Sequence, residues 1–213
     1  MASRTVVIAG ATGLVGREIL AGLLADPSVS AVHSLGRRKL GVEHPKLTSH
    51  VVDFGALPAL PAADEVYLAL GTTIKVAGSQ AAFRAVDYDA NLAVAKAALA
   101  AGVTKVGLVS SMGADSKSGI FYSRVKGELE DALSEMPFAG LVIARPSMLL
   151  GNREELGQPV RRGEEVASVL AKIGGFLIPA NYKPIAASAV AKALLSRVPS
   201  ASGKAVLLSG SMR

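Results

Sequence analysis

The stretch Ala9-Gly10-Ala11-Thr12-Gly13-Leu14-Val15-Gly16 constrains this chain more than any other. An apolar run, Thr5 to Ala9, leads into it, and an amphipathic run, Leu14 to Leu24, leads out. A Gly-x-x-Gly-x-x-Gly turn therefore joins a strand to a helix. The glycines permit the tight turn and remove β-carbons that would keep an anion away from the backbone. The helix start adds unpaired N–H groups and the positive end of a dipole. An ordinary strand-to-helix turn is the plain alternative, but strand, turn and helix in this order favour a bound dinucleotide pyrophosphate. No Gly-Lys-Ser or Gly-Lys-Thr follows, so a triphosphate loop of the kinase type is not expected.

The rest of the chain repeats the same alternation. Strands are expected at Thr5 to Ala9, Ala31 to Leu35, His50 to Phe54, Glu65 to Leu70, Lys105 to Ser110, Gly140 to Ala144 and Ala205 to Ser209. Helices are expected at Leu14 to Leu24, Phe83 to Ala101, Phe121 to Glu135, Val160 to Ile173 and Ala187 to Arg197, with Gly102 as a stop signal. Leu57 to Pro61 and Gly174 to Pro184 read as loops rather than linkers. This pattern predicts an α/β fold of the Rossmann type, a doubly wound and mostly parallel sheet, in one domain spanning 1–213. About 65 residues follow Pro146, which suits a small C-terminal lobe on the substrate side but not an independent domain.

Composition narrows the chemistry. Half of the 213 residues are hydrophobic and 19% are charged, which favours a packed core over disorder. The chain has no cysteine, so thiol catalysis, disulfides and cysteine metal sites are excluded. His33, His44 and His50 lack a metal-ligand spacing, and no metal is expected. No apolar run is long enough to span a bilayer, and Met1-Ala2-Ser3-Arg4 leads directly into a strand, so the expectation is a soluble, cytoplasmic protein. A net charge of +6 calls for an anionic partner. The basic residues are scattered, and only four tyrosines and five phenylalanines are available for base stacking, so nucleic acid is not the favoured partner.

About 20 residues beyond the glycine turn, NAD-selective sites carry an acid for the ribose 2′-hydroxyl. Here the chain reads Leu35-Gly36-Arg37-Arg38. Two guanidinium groups in that place suit a 2′-phosphate, so NADP(H) is expected in preference to NAD(H); two solvated arginines are the plain alternative. Asp53 and Phe54, at the end of the third expected strand, are candidates for contact with adenine.

Farther on, Tyr122-Ser123-Arg124-Val125-Lys126 places a phenol and an ammonium four residues apart, on one face of a helix. A fixed positive charge beside a phenol favours its ionised form and brings proton exchange towards neutral pH.

With the glycine turn, Arg37-Arg38 and Tyr122/Lys126 in this order, the chain resembles the short-chain dehydrogenase/reductase superfamily, in its atypical branch. Leu68-Ala69-Leu70-Gly71-Thr72-Thr73, Phe83-Arg84-Ala85-Val86-Asp87-Tyr88-Asp89 and Val109-Ser110-Ser111-Met112-Gly113-Ala114-Asp115 are similar to the TIP30 (Tat-interacting protein) group and its bacterial relatives. Val125-Lys126-Gly127-Glu128-Leu129-Glu130 and Ala144-Arg145-Pro146-Ser147 extend the likeness over most of the chain. The resemblance implies a cofactor across the C-terminal edge of the sheet, on Gly10, Thr12, Gly13, Leu14, Val15 and Gly16. It implies Leu70, Gly71, Thr72 and Thr73 beside the ribose and pyrophosphate, and Arg145, Pro146, Ser147 and Leu149 near the nicotinamide. Tyr122 is then the acid/base, Lys126 holds the nicotinamide ribose and lowers the phenol's pKa, and Ser111 or, second, Ser110 orients the substrate carbonyl. Asp87 stands where many members carry asparagine, with Asn91 one turn later, so the family's proton relay does not carry over unchanged.

These readings lead to an NADP(H)-dependent reductase of a carbonyl, quinone or related small acceptor. The alternative is an NADP(H)-sensing protein, weak or inactive as a catalyst, that binds a regulatory protein; a homo-oligomer is compatible with either. A sugar-nucleotide epimerase would need a larger substrate lobe. Tyr182 and Phe176 are candidates to line a substrate pocket, whereas Asp64-Glu65, Glu154-Glu155 and Arg161-Arg162-Gly163-Glu164-Glu165 read as solvated charge.

Overall fold

In a computed structural model, residues 3–150 and 179–213 are described. Seven parallel strands form one sheet: β1 (Arg4–Ala9), β2 (Val29–Gly36), β3 (Leu47–Val51), β4 (Glu65–Leu68), β5 (Lys105–Val109), β6 (Gly140–Arg145) and, last in the chain, β9 (Gly203–Leu208). Their order is β3-β2-β1-β4-β5-β6-β9, so the chain winds outward from β1 to one edge and then returns to its other side at β4. The crevice beyond the strand ends at that reversal is where open α/β sheets bind ligands.

Both faces of the central strands are covered, which is why these strands read as near-continuous apolar runs. Alternation along β1 sends Val6 and Ile8 into a core with α1 (Leu14–Ala25), through Ile19 and Leu23, and with α6 (Ala187–Arg197), through Val190 and Leu194. Val7 and Ala9 point the other way, into a core with α4 (Asn91–Ala100), through Val94 and Ala98, and with α5 (Phe121–Ser134), through Leu129 and Leu133. Beneath the sheet's opposite end, Arg4 donates to Glu65 at 2.6 Å and to Asp26 at 2.6 Å, and the Tyr67 hydroxyl donates to Glu65 at 3.1 Å.

The expected long helix from Phe83 to Ala101 begins earlier and is interrupted. It comprises α3 (Gln80–Arg84), a π-turn at Ala85–Ala90 and then α4, with Gly102 at φ +88° ending it as expected. The third strand is also corrected: it runs from Leu47 to Val51, not from His50 to Phe54. Pairing stops where the Asp53 carboxylate accepts the Gly55 amide at 2.9 Å and turns the chain. Two small features were unforeseen. A single turn, α2 (Ile74–Ala77), is capped by Thr73, and β7 (Leu149–Leu150) pairs with β8 (Ile185–Ala186). The expected helix Val160 to Ile173, Phe176 and the charged groups at 154–155 and 161–165 lie outside the described residues. In the described part of the expected loop, Ala180–Tyr182 makes one 3-10 turn.

Candidate functional site

The glycine turn lies at the reversal point, between the ends of β1 and β4. Gly10 has φ +92°, and a β-carbon there would overlap the Ala69 backbone. One at Gly16 would overlap the Gly10 carbonyl, so those two glycines serve the chain's own packing. Gly13 differs. It has φ −81°, and its hypothetical β-carbon would approach nothing nearer than the Gly10 oxygen at 3.4 Å. Gly13 caps α1 without a side-chain acceptor, so the first-turn amides of Leu14, Val15 and Gly16 are left for an anion. Leu14 and Val15 bury their side chains in the α1 core, whereas Thr12 is exposed. This cradle fits a pyrophosphate.

Arg37 and Arg38 are exposed directly after β2. Neither guanidinium forms an ion pair or side-chain hydrogen bond among the described residues. Asp53 is exposed and occupied by its turn, while Phe54 is half-buried against the α4/α5 core.

At the end of β4 the chain meets a buried charged pair. Asp87, in the π-turn, accepts the Thr72 amide through Oδ2 at 2.8 Å and pairs through Oδ1 with Lys126 Nζ at 2.7 Å. The two side chains are 1% and 6% exposed. Asn91 braces the same loop, its Nδ2 donating to the Leu70 carbonyl at 3.1 Å and to the Asp87 carbonyl at 3.2 Å. Gly71 roofs the pair: a β-carbon there would lie 3.5 Å from Asp87 Oδ1 and 3.8 Å from Lys126 Nζ. Burial works against the Lys126 ammonium, but Asp87, Tyr122 and Glu130 outweigh it and hold the group above the ordinary lysine range.

Tyr122 and Lys126 are one turn apart on α5. The Tyr122 ring rests on buried Phe83, with centroids 5.4 Å apart, and Phe83 also touches Phe121 at 5.9 Å. The adjacent serines after β5 are used differently. Ser110 Oγ is buried and donates to Glu130. That carboxylate is also gripped by Arg145, whose Nε lies 3.1 Å from each oxygen, and this pairing raises the guanidinium's pKa. Ser111 Oγ is buried without a hydrogen-bond partner among the described residues. The Pro146 carbonyl accepts the Met112 amide at 2.8 Å, tying the ends of β5 and β6. Ser147 donates from Oγ to the Lys183 carbonyl at 2.5 Å, and Leu149 packs against the α1/α6 core.

The fold thus joins the glycine turn, the Leu70–Thr73 loop and the Tyr122/Lys126 pair along one edge through Gly10 against Ala69 and Gly71 over Lys126. Asp53 and Arg145 direct their side chains to partners within the chain. Sequence reasoning missed Asp87 as the lysine's partner, Phe83 as the tyrosine's support and Glu130 as the group that occupies Ser110. Only Asp87 carried a local signal, as a carboxylate at a position occupied by an amide in the resembled family. No helix among the described residues is long and apolar enough to cross a membrane, and no cluster of three metal-ligating side chains occurs among them.

The strand order, the glycine cradle and its place at the reversal point define an NAD(P)-binding protein of the Rossmann type. A family model described as NAD(P)H-binding matches residues 10–170. Protein fmp52, mitochondrial, of Emericella nidulans is 35% identical over 97% of this chain and 95% of its own length. Protein HTATIP2 of Rattus norvegicus is 38% identical over 73% of this chain and 66% of its own length. Among solved structures, a UDP-N-acetylglucosamine 4-epimerase from Methanobrevibacter ruminantium M1 superposes with TM-score 0.71 at 17% identity, covering 98% of this chain and 77% of the other. WbmH of Bordetella bronchiseptica, solved with NAD+, gives TM-score 0.70 at 17% identity over 98% and 76%. At such identities the structural likeness concerns the fold alone. The chain belongs to the NAD(P)H-binding family of atypical short-chain dehydrogenases/reductases, with Fmp52 and HTATIP2 among its relatives. The expectation of a cytoplasmic location is corrected by these relatives, since the Fmp52 proteins of Emericella nidulans and Aspergillus terreus are named mitochondrial.

Proposed function

We propose that this protein is an NADP(H)-dependent reductase of a carbonyl, quinone or related small acceptor, with Tyr122, Lys126 and Ser111 as its working side chains. The observation that carries the reading is the buried Lys126 ammonium, one helical turn from Tyr122 and directly beneath Gly71 of the β4 loop. When bound, the reduced nicotinamide supplies a hydride. The chain supplies the proton: Tyr122 Oη donates it to the acceptor oxygen, and Lys126 favours the phenolate that remains. Ser111 donates a hydrogen bond to the same oxygen. Its orphaned, buried hydroxyl supports this role over Ser110, which is committed to Glu130.

NADP(H) is favoured over NAD(H) because Arg37 and Arg38 are exposed beyond β2 with no carboxylate among the described residues to neutralise them. The expected C-terminal lobe is not what the described residues after 147 form: they complete the single domain, α6 packing with α1 on one face of the sheet and β9 pairing with β6. A second reading, a nucleotide sensor with a protein partner and little turnover, draws support from the engagement of Lys126 by Asp87. NADPH oxidation across a panel of quinones, aldehydes and ketones, with NADPH binding measured in parallel, separates the two.

A further inference from the structure

We propose that Asp87 is a positioning residue for the Tyr122/Lys126 pair: its carboxylate fixes Lys126 Nζ under the β4 loop and sets how much positive charge reaches the phenol. This rests on the reading of Tyr122 and Lys126 given above and goes beyond it. In that reading Lys126 is a bare cation beside Tyr122, whereas in the fold it is half of an ion pair.

The geometry is two-pronged. One Asp87 oxygen takes the Thr72 amide, at 2.8 Å, and the other takes the ammonium, at 2.7 Å. A single carboxylate therefore locks the loop on the cofactor side to the lysine on α5. The π-turn at Ala85–Ala90 supplies the position, because one extra residue in a helix re-aims the side chains around it. Asn91 holds that turn and the loop together through the Asp87 and Leu70 carbonyls.

The other charged groups around Lys126 have partners of their own. On α5, Glu130 is paired with Arg145 of β6, and Glu128 with Arg84 of α3. Arg84 also lies over the Tyr88 ring, 4.3 Å from its centroid. Arg124 donates to the Ser118 carbonyl at 2.9 Å, and Asp115 accepts the Lys117 amide at 2.9 Å. Asp89, on the same π-turn as Asp87, acts on Arg84, and Asp131 acts on Arg145. Among the described residues, the carboxylate that bonds the Lys126 ammonium is that of Asp87. Burial makes the arrangement consequential, since charges out of water act on each other with little screening. An asparagine here would keep an acceptor for Thr72 while leaving the ammonium unneutralised.

The test uses the chain's four tyrosines, labelled with carbon-13 at Cζ and titrated by NMR, with the Tyr122 signal assigned by its loss in Tyr122→Phe. In Asp87→Asn the Tyr122 signal is expected to titrate at lower pH than in the parent, by about one unit or more, because the ammonium is no longer offset. Coincident curves, or a move to higher pH, would overturn the proposal. Should Asp87→Asn fail to fold, Lys126→Met reports on the same pair, since it leaves Asp87 buried without its countercharge. Its stability to denaturant should fall relative to the parent between about pH 5 and pH 8, as the unpaired carboxylate is forced to ionise. Parallel curves for variant and parent would overturn the proposal equally. Neither readout needs turnover. A shifted titration in a protein that reduces no acceptor would uphold Asp87 and remove the reductase reading.

Discussion

Gly10 packs against Ala69 so closely that a single β-carbon on Gly10 would overlap the Ala69 backbone. This contact joins the turn after β1 to the loop after β4 and builds the crevice at the sheet's reversal point. Three glycines of similar appearance in the sequence therefore have two different physical roles.

Gly10→Ala should destabilise the fold, because it combines φ +92° with that overlap. Gly13→Val is expected to fold, having ordinary backbone angles and room on the protein side, yet to lose both NADPH and NADH. Circular dichroism together with cofactor titration checks both. Intact nucleotide binding by a folded Gly13→Val would refute the placement of the pyrophosphate.

Replacing Arg37 and Arg38 together by alanine should weaken NADPH selectively, by about tenfold or more, and leave NADH nearly unchanged. The NADPH preference of the parent should also decline as salt is raised, because exposed guanidinium groups are screened. An unchanged ratio of the two affinities would count against a 2′-phosphate at this position.

The local parts of this architecture were legible in the residues, and the non-local parts were not. The turn from Gly10 to Gly16 announces itself because strand, glycine spacing and helix are contiguous. Central strands such as Val6 to Ala9 are apolar throughout because both faces are buried. Edge strand β3 is half-exposed and carries Thr48, Ser49 and His50, so the apolar Val51-Val52 pair drew the expected strand towards Phe54. The Lys126–Asp87 pair joins α5 to a π-turn in another helix, and no periodicity encodes such a pair. Likewise, Ser110 and Ser111 look alike until Glu130, on the facing helix, takes the hydroxyl of Ser110.

Arg4→Met should cost about 3 kcal/mol or more, because it leaves the Glu65 carboxylate, 1% exposed, without its countercharge. Denaturant unfolding measures this. A loss below about 1 kcal/mol would show that the Arg4, Asp26 and Glu65 cluster behaves as a surface pair.

His33 on β2 lies 3.0 Å from His50 on β3, measured from Nδ1 to Nε2. Burial first, then the charge of His50, holds His33 below the ordinary imidazole range. The unfolded chain then takes up this proton more readily than the native state. Stability is accordingly complete above about pH 6.5 and declines as the pH falls from there towards the lower native value. The denaturation midpoint of the parent should drop between about pH 7 and pH 5, and that of His33→Gln should drop less. Equal losses would mean that the pair does not govern the acid limb.

The central claim is that Tyr122 delivers the proton in a reduction driven by NADPH. Its most direct measurement is NADPH oxidation by the purified protein over the acceptor panel, beside Tyr122→Phe, with cofactor binding confirmed for both. The expected result is turnover by the parent that falls by about a hundredfold or more in the variant while NADPH still binds. Turnover that survives in Tyr122→Phe, or tight NADPH binding with no turnover by the parent, would contradict it.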